Sequence, residues 1–233
     1  VNTALVLEYS ATLSAVAPDA FAVQGRTVTA AYSSASDVPG TPGNGPYVII
    51  ELEPQSILER VRGRNEHINI HALSLAVQQL GNLTAMDGTV LYPDGVTRIA
   101  TKNRTLIADS FHQFTRGSLT YNLYVPDDYD PAASYPLVLF IADAGSNGAD
   151  PRIALYQGLG ATGFAAPESQ AKQPCFVLVP MIPSRVRLTN DDFEVTPELE
   201  EIMDTLRYVT RTYSIDPRRI TTTRQSQGFM ASC

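Results

Sequence analysis

The stretch Arg219-Ile220-Thr221-Thr222-Thr223-Arg224-Gln225-Ser226-Gln227-Gly228-Phe229-Met230 decides how the second half of this 233-residue chain is read. A β-branched run feeds straight into a serine flanked by two glutamines and followed by glycine, then by residues able to start a helix. That is the layout of a nucleophile elbow, in which a strand turns sharply into a helix and the serine hydroxyl stands exposed at the turn. The strained turn pushes the Oγ outward, and the N–H of the next residue, Gln227, becomes available to an oxyanion. The full pattern is G-x-S-x-G, whereas this chain reads R-Q-S-Q-G and keeps only Gly228. An ordinary serine in a βα turn would leave the same trace, so the weight comes from what precedes it.

Working backward, the second half alternates. Tyr121 to Pro126 reads as a strand, and Pro136-Leu137-Val138-Leu139-Phe140-Ile141 is a continuous apolar run, as a buried strand should be. The small-residue loop Ala142-Asp143-Ala144-Gly145-Ser146-Asn147-Gly148 follows it. Next come a helical stretch, a buried strand over Cys175–Pro180, and a helix capped by Thr196 with Pro197 at its first position. Leu199, Ile202, Met203, Leu206, Val209 and Thr210 give that helix one apolar face. Asp216-Pro217 ends the connection and Arg219 to Thr223 forms the strand into Ser226. This βαβ alternation predicts a mostly parallel sheet.

Residues 1–109 read differently. Ala4–Tyr9, Thr27–Tyr32 and Tyr47–Leu52 are short strand-like runs separated by turn residues, and Asp37–Pro46 is a loop by composition. Ile68, Ile70 and Ala72 alternate with His67, Asn69 and His71, as in a half-buried strand. Asp87-Gly88 and Asp94-Gly95 mark turns, the second between Val90–Tyr92 and Val96–Ile99. Short strands without a convincing helix predict a β-sandwich. The chain is therefore expected to hold two domains, a sandwich over 1–109 and an α/β domain over 110–233.

Composition narrows the function classes. The hydrophobic and charged fractions, 44% and 18%, are those of a globular protein. A net charge of −7 without a basic cluster argues against a nucleic-acid partner. No apolar run reaches the roughly 18–20 residues that cross a bilayer, so no membrane partner is expected. Two cysteines are too few for a disulfide scaffold, and Cys175 reads as a buried, inert thiol.

With these elements in place, the sequence resembles bacterial α/β-hydrolase esterases of the polyhydroxybutyrate-depolymerase-like group that carry an N-terminal immunoglobulin-like domain. The matching segments are Leu119–Pro126, Tyr135–Ile141, Ala142–Gly145, Pro174–Pro180, Tyr213–Ile220 and Gln225–Gly228. The resemblance implies an immunoglobulin-like sandwich followed by an α/β-hydrolase sheet, incomplete in this chain. It also implies hydrolysis of a small carboxylic ester, no metal or organic cofactor, and an extracellular or periplasmic location. Ser226 would be the nucleophile, and the oxyanion hole would use the N–H of Gln227 and one from the Asp143-Ala144 loop.

The sequence departs from that family at marked places. The family usually has His where Ala142 stands, Gly where Arg224 stands and often Met where Gln227 stands. Arg224 should strain or reshape a turn that normally leaves no room for a side chain, and Ala142 should loosen its loop. The family's order is Ser, then Asp or Glu, then His. Seven residues follow Ser226, none acidic and none His, while His67, His71 and His112 all lie upstream. Three readings stay open: a fragment of a longer esterase, a chain completed by a second chain or an oligomer, or a non-catalytic binding or scaffold relative.

Other motifs have plainer readings. Gly158-Leu159-Gly160-Ala161-Thr162-Gly163 spells G-x-G-x-x-G, but it closes a helical stretch instead of opening one after a strand. His67 and His71 lack the further ligands zinc needs. Asp191-Asp192-Phe193-Glu194 lacks the ligand pattern of a calcium loop. Asn82-Leu83-Thr84 and Asn103-Arg104-Thr105 are read as turns.

Overall fold

A computed structural model of the protein describes residues 2–62, 67–71, 74–147, 150–182, 188, 194–226 and 228. The chain divides into two compact units, Val1–Ile57 with His71–Asn103, and Leu58–Ile70 with Arg104–Cys233. Its strands in order are β1 (Asn2–Ala15), β2 (Phe21–Val23), β3 (Val28–Ser34), β4 (Gly45–Gln55), β5 (Leu58–Val61), β6 (His67–Ile70), β7 (Ala76–Gln79) and β8 (Leu83–Ala85). They continue with β9 (Val90–Leu91), β10 (Thr97–Ile99), β11 (His112–Arg116), β12 (Leu119–Tyr124), β13 (Tyr135–Ile141), β14 (Phe176–Met181) and β15 (Ile215–Arg224). The α-helices among the described residues include α1 (Ile153–Tyr156), α2 (Thr162–Ala165), α3 (Pro167–Lys172) and α4 (Pro197–Thr212).

The first unit has a five-stranded antiparallel sheet in the order β3-β4-β1-β8-β9 and a three-stranded one in the order β10-β7-β2. Leu5, Leu13, Val48, Ile50 and Leu83 of one sheet share a buried core with Phe21, Val23 and Val77 of the other. Two sheets closing on one apolar layer make a β-sandwich. β1 is far longer than the run Ala4–Tyr9 suggests. It pairs with β4 first and, past an irregularity between Glu8 and Leu13, with β8.

The turns expected in this unit meet different outcomes. The Asp94-Gly95 turn does lie between two strands, and they belong to different sheets: β9 extends the first and β10 the second. There a guanidinium hydrogen bond from Arg98, together with the Val96 N–H, lowers the pKa of the Asp94 carboxyl to about 2. Leu83-Thr84 lies in β8 instead of a turn. The Asp87-Gly88 turn does link β8 to β9, with Gly88 at φ +88°.

The second unit is built on a five-stranded sheet in the order β11-β12-β14-β13-β15. β13, β14 and β15 are parallel, while β12 runs antiparallel to both β14 and β11. The sheet is therefore mixed, because β11 and β12 form a hairpin. β13 shows why both faces are covered: Leu137, Leu139 and Ile141 enter the core that includes Leu199, Ile202, Leu206 and Val209 of α4. Val138, Phe140 and the following Ala142 enter a core with Ala154 and Leu155 of α1 and Ala165 of α2. Alternation with period two thus serves two apolar layers at once.

Thr196 caps α4 by accepting the Leu199 N–H, with Pro197 in the first turn. Its buried face holds Thr205 where the sequence suggested Met203, which is 37% exposed. β15 begins at Ile215 and takes in Asp216-Pro217, absorbing them at a register irregularity against β13. Cys175 is buried ahead of β14, and that burial pushes its thiol pKa up. The segment Asp191–Phe193 lies outside the described residues.

The glycines of the G-x-G-x-x-G string follow α1, not a strand, and Gly160 has a packing role. A Cβ there would sit 2.3 Å from Cε2 of Phe140, a ring buried in the middle of the sheet. Gly160→Ala should cost about 1–3 kcal/mol through overpacking, measured by urea denaturation. An unchanged midpoint would show that α1 and α2 do not press on Phe140 as described.

Candidate active site at the carboxyl ends of two parallel strands

The strand order reverses at β13: the chain steps to β14 on one side, then returns through α4 to place β15 on the other. In open sheets with parallel strands, ligands bind outside the carboxyl ends at such a reversal. Two segments leave the sheet at that place. The loop Ala142–Asn147 follows β13, and the turn at Gln225-Ser226 follows β15. The last paired residues are Ile141 and Arg224. Beyond them the Gln225 N–H donates to the Ile141 carbonyl at 3.1 Å, so turn and loop start side by side.

Ser226 has φ +50°, the sole positive φ at a non-glycine position among the described residues. A side chain in the left-handed region costs about 1–2 kcal/mol, and such strain gathers at functional positions. The residue is exposed. Gly228 explains how the turn closes: its N–H donates to the Gln225 carbonyl at 3.0 Å, and a Cβ on it would lie 2.3 Å from the Ile141 carbonyl oxygen. Glycine is needed there because the backbone lies against the end of β13.

Arg224 does not reshape the turn as the sequence suggested. It occupies an ordinary strand position opposite Ile141 with an exposed side chain, and the positive φ falls two residues later. Ala142 does not loosen its loop either. It is buried in the α1–α2 core, and the loop is fixed by Asp143.

Asp143 is 7% exposed and caps the 3-10 turn Ala144–Ser146. Its Oδ1 accepts the N–H groups of Gly145 at 2.6 Å and Ser146 at 3.2 Å. Its Oδ2 accepts from Gln157 Nε2 at 3.1 Å and faces Arg60 Nη2 at 3.9 Å. The Ser146 hydroxyl donates to the Asp143 carbonyl at 2.7 Å. These bonds consume the loop's later donors. The Ala144 N–H is left without an acceptor among the described residues, on an exposed residue. A backbone donor with no described acceptor, in the loop that starts next to the turn carrying an exposed serine, is the kind of group that can hold a developing oxyanion.

Of the residues singled out in the sequence, the structure thus sets Ser226 and the Asp143-Ala144 loop at neighbouring strand ends. Gln227 lies outside the described residues. Among the described residues no group of three or more His, Cys, Asp or Glu side chains could hold a metal ion, and no helix is long and apolar enough to cross a membrane. His112 stands on β11, four strands from β15, roughly 19 Å across the sheet at ~4.8 Å per step. Sequence reasoning missed Arg60, Ile68 and Gln157, and no motif marks them.

Residues 2–92 match the model of the esterase Ig-like N-terminal domain. A solved structure described as a thermostable esterase superposes with a TM-score of 0.88 at 29% identity, over 98% of this chain and 68% of that one. Residues 2–92 are thus an esterase Ig-like N-terminal domain, and the chain as a whole is similar to a thermostable esterase. Two looser likenesses carry no argument: the BES protein from Bacillus cereus and a bifunctional GH43-CE protein from Bacteroides eggerthii. The first has a TM-score of 0.37 and 12% identity, over 57% of this chain and 58% of that one. The second has a TM-score of 0.40 and 14% identity, over 99% and 35%. No curated protein gives a significant match.

The strain at Ser226 is testable without any substrate. Ser226→Gly should be about 1 kcal/mol more stable than Ser226→Ala, because glycine adopts φ +50° freely. Equal urea midpoints for the two variants would place the strain elsewhere.

Proposed function

We propose that the second unit is the opening part of an α/β-hydrolase domain and that the protein is a serine hydrolase of small carboxylic esters. The observation that carries the reading is Ser226, left-handed at a strand end, next to the start of a loop whose Ala144 N–H has no acceptor among the described residues. The likeness to a thermostable esterase supports it.

In this reading Ser226 Oγ attacks the ester carbonyl carbon, and its proton passes to a general base. The carbonyl oxygen takes up the electron pair and is held by the Ala144 N–H and the Gln227 N–H. Collapse of the tetrahedral intermediate breaks the bond to the alcohol oxygen, which leaves carrying the proton. Water then adds to the acyl-enzyme by the same route and releases the acid. Each oxyanion donor of this type accounts for about 10²–10³ in kcat. The base in serine hydrolases of this design is an imidazole held by a carboxylate. His112 is too far across the sheet to reach Ser226, and His67 stands on the hairpin face opposite Ile68, paired with Val61.

The rival is a non-catalytic binding or scaffold protein built on the same fold. The two separate on one experiment. Incubation with a fluorophosphonate should add one phosphonyl group, on Ser226, seen by intact mass. Hydrolysis of p-nitrophenyl acetate should fall on the order of 10⁶-fold in kcat in Ser226→Ala. A folded protein whose Ser226 stays unlabelled and which turns over no ester would support the scaffold instead.

A further inference from the structure

Residues 58–70 carry a feature that the ester-hydrolase reading does not use. β5 and β6 pair antiparallel, with Arg60 opposite Ile68 and Leu58 opposite Ile70, so those four side chains share one face. In sequence this hairpin lies inside the segment that matches the immunoglobulin-like family. In space it groups with the second unit, and the His71 N–H closes its neck on the Ile57 carbonyl at 2.8 Å.

That shared face meets the loop after β13. Ile68 is 5% exposed, and its Cδ1 would lie 3.5 Å from a Cβ placed on Gly145. Arg60, whose side chain is half exposed, points its Nη2 at Asp143 Oδ2. Ile68 thus covers the loop backbone while Arg60 and Gln157 fix the second oxygen of the carboxylate whose first oxygen caps Gly145 and Ser146.

We infer that the β5–β6 hairpin positions the oxyanion loop. Ile68 and Arg60 are positioning residues that hold Asp143 in its capping orientation, which fixes the backbone at Ala144 in the loop that starts next to the Ser226 turn. This rests on the ester-hydrolase reading for its catalytic meaning. The positional part stands on the geometry alone. The ion pair at 3.9 Å with a half-exposed partner is individually weak, so the apolar cover by Ile68 carries more of the effect than Arg60.

The consequence is specific. A loosened loop leaves ester or inhibitor binding intact but weakens the hold on the oxyanion, so kinact falls and KI does not. Arg60→Ala should lower the fluorophosphonate kinact about threefold, and Ile68→Ala about tenfold. Both lie short of the hundredfold or more that loss of an oxyanion donor costs. Arg60→Lys should restore most of the loss by returning a cation. Amide hydrogen exchange at residues 144–146 should quicken in both alanine variants, and Arg60→Ala, a surface change, guards against a fold lost in Ile68→Ala.

Unchanged exchange and unchanged kinact in both variants would overturn the inference. Faster exchange with unchanged kinact would overturn it too, since the hairpin would then be structural only. If the unaltered protein is not labelled at Ser226, the hydrolase reading fails. In that case exchange alone decides whether the hairpin orders the loop.

Discussion

The end of β13 is the point on which the second unit depends. The Ile141 carbonyl accepts the Gln225 N–H, and the same oxygen is the atom Gly228 presses against. One peptide group therefore sets where the turn after β15 starts and how tightly it closes. Its neighbours in sequence begin the loop in which the Ala144 N–H has no acceptor among the described residues. Parallel pairing of β13 with β15 brings these two segments together, although 85 residues of sequence separate Ile141 from Ser226 in round terms of chain length.

Holding a serine at positive φ needs a frame that does not relax. β13 supplies it by burying both faces, Ile141 against the α4 side and Phe140 against α1 and α2. A strand packed on both sides cannot slide to relieve strain at its end without opening two apolar layers. The loop after it is held by charge-assisted bonds instead. One buried carboxylate, Asp143, accepts two backbone N–H groups on one oxygen and a side-chain amide on the other. Such bonds are shorter and stronger than neutral ones, and here they take up the N–H groups of Gly145 and Ser146.

Much of this was legible in the sequence. The unbroken apolar run Leu137–Ile141 reads as a strand buried on both faces, and the Thr196-Pro197 cap fixes the start of α4. Period-two patterning shows local pairing but not which strand lies beside which. That is why the separate sheets on either side of the Asp94-Gly95 turn and the antiparallel partners of β12 are not visible in the sequence. Ser226 was legible because a chemical motif forces a backbone shape. The consequence of Arg224 was not, since its accommodation depends on strand geometry and not on residue type. The role of Asp143 differs from a simple backbone donor, because its carboxylate folds back on its own loop. Leu58–Ile70 gives no sequence sign of its place, as Arg60 and Ile68 act through a loop more than seventy residues away.

The most direct test of the account is the structure of the protein with a phenylboronic acid bound. A tetrahedral boronate is expected on Ser226 Oγ, with one boronate oxygen about 2.7–3.1 Å from the Ala144 N. A boronate absent from Ser226 under saturating inhibitor, or one whose oxygens all point away from Ala144, would contradict it.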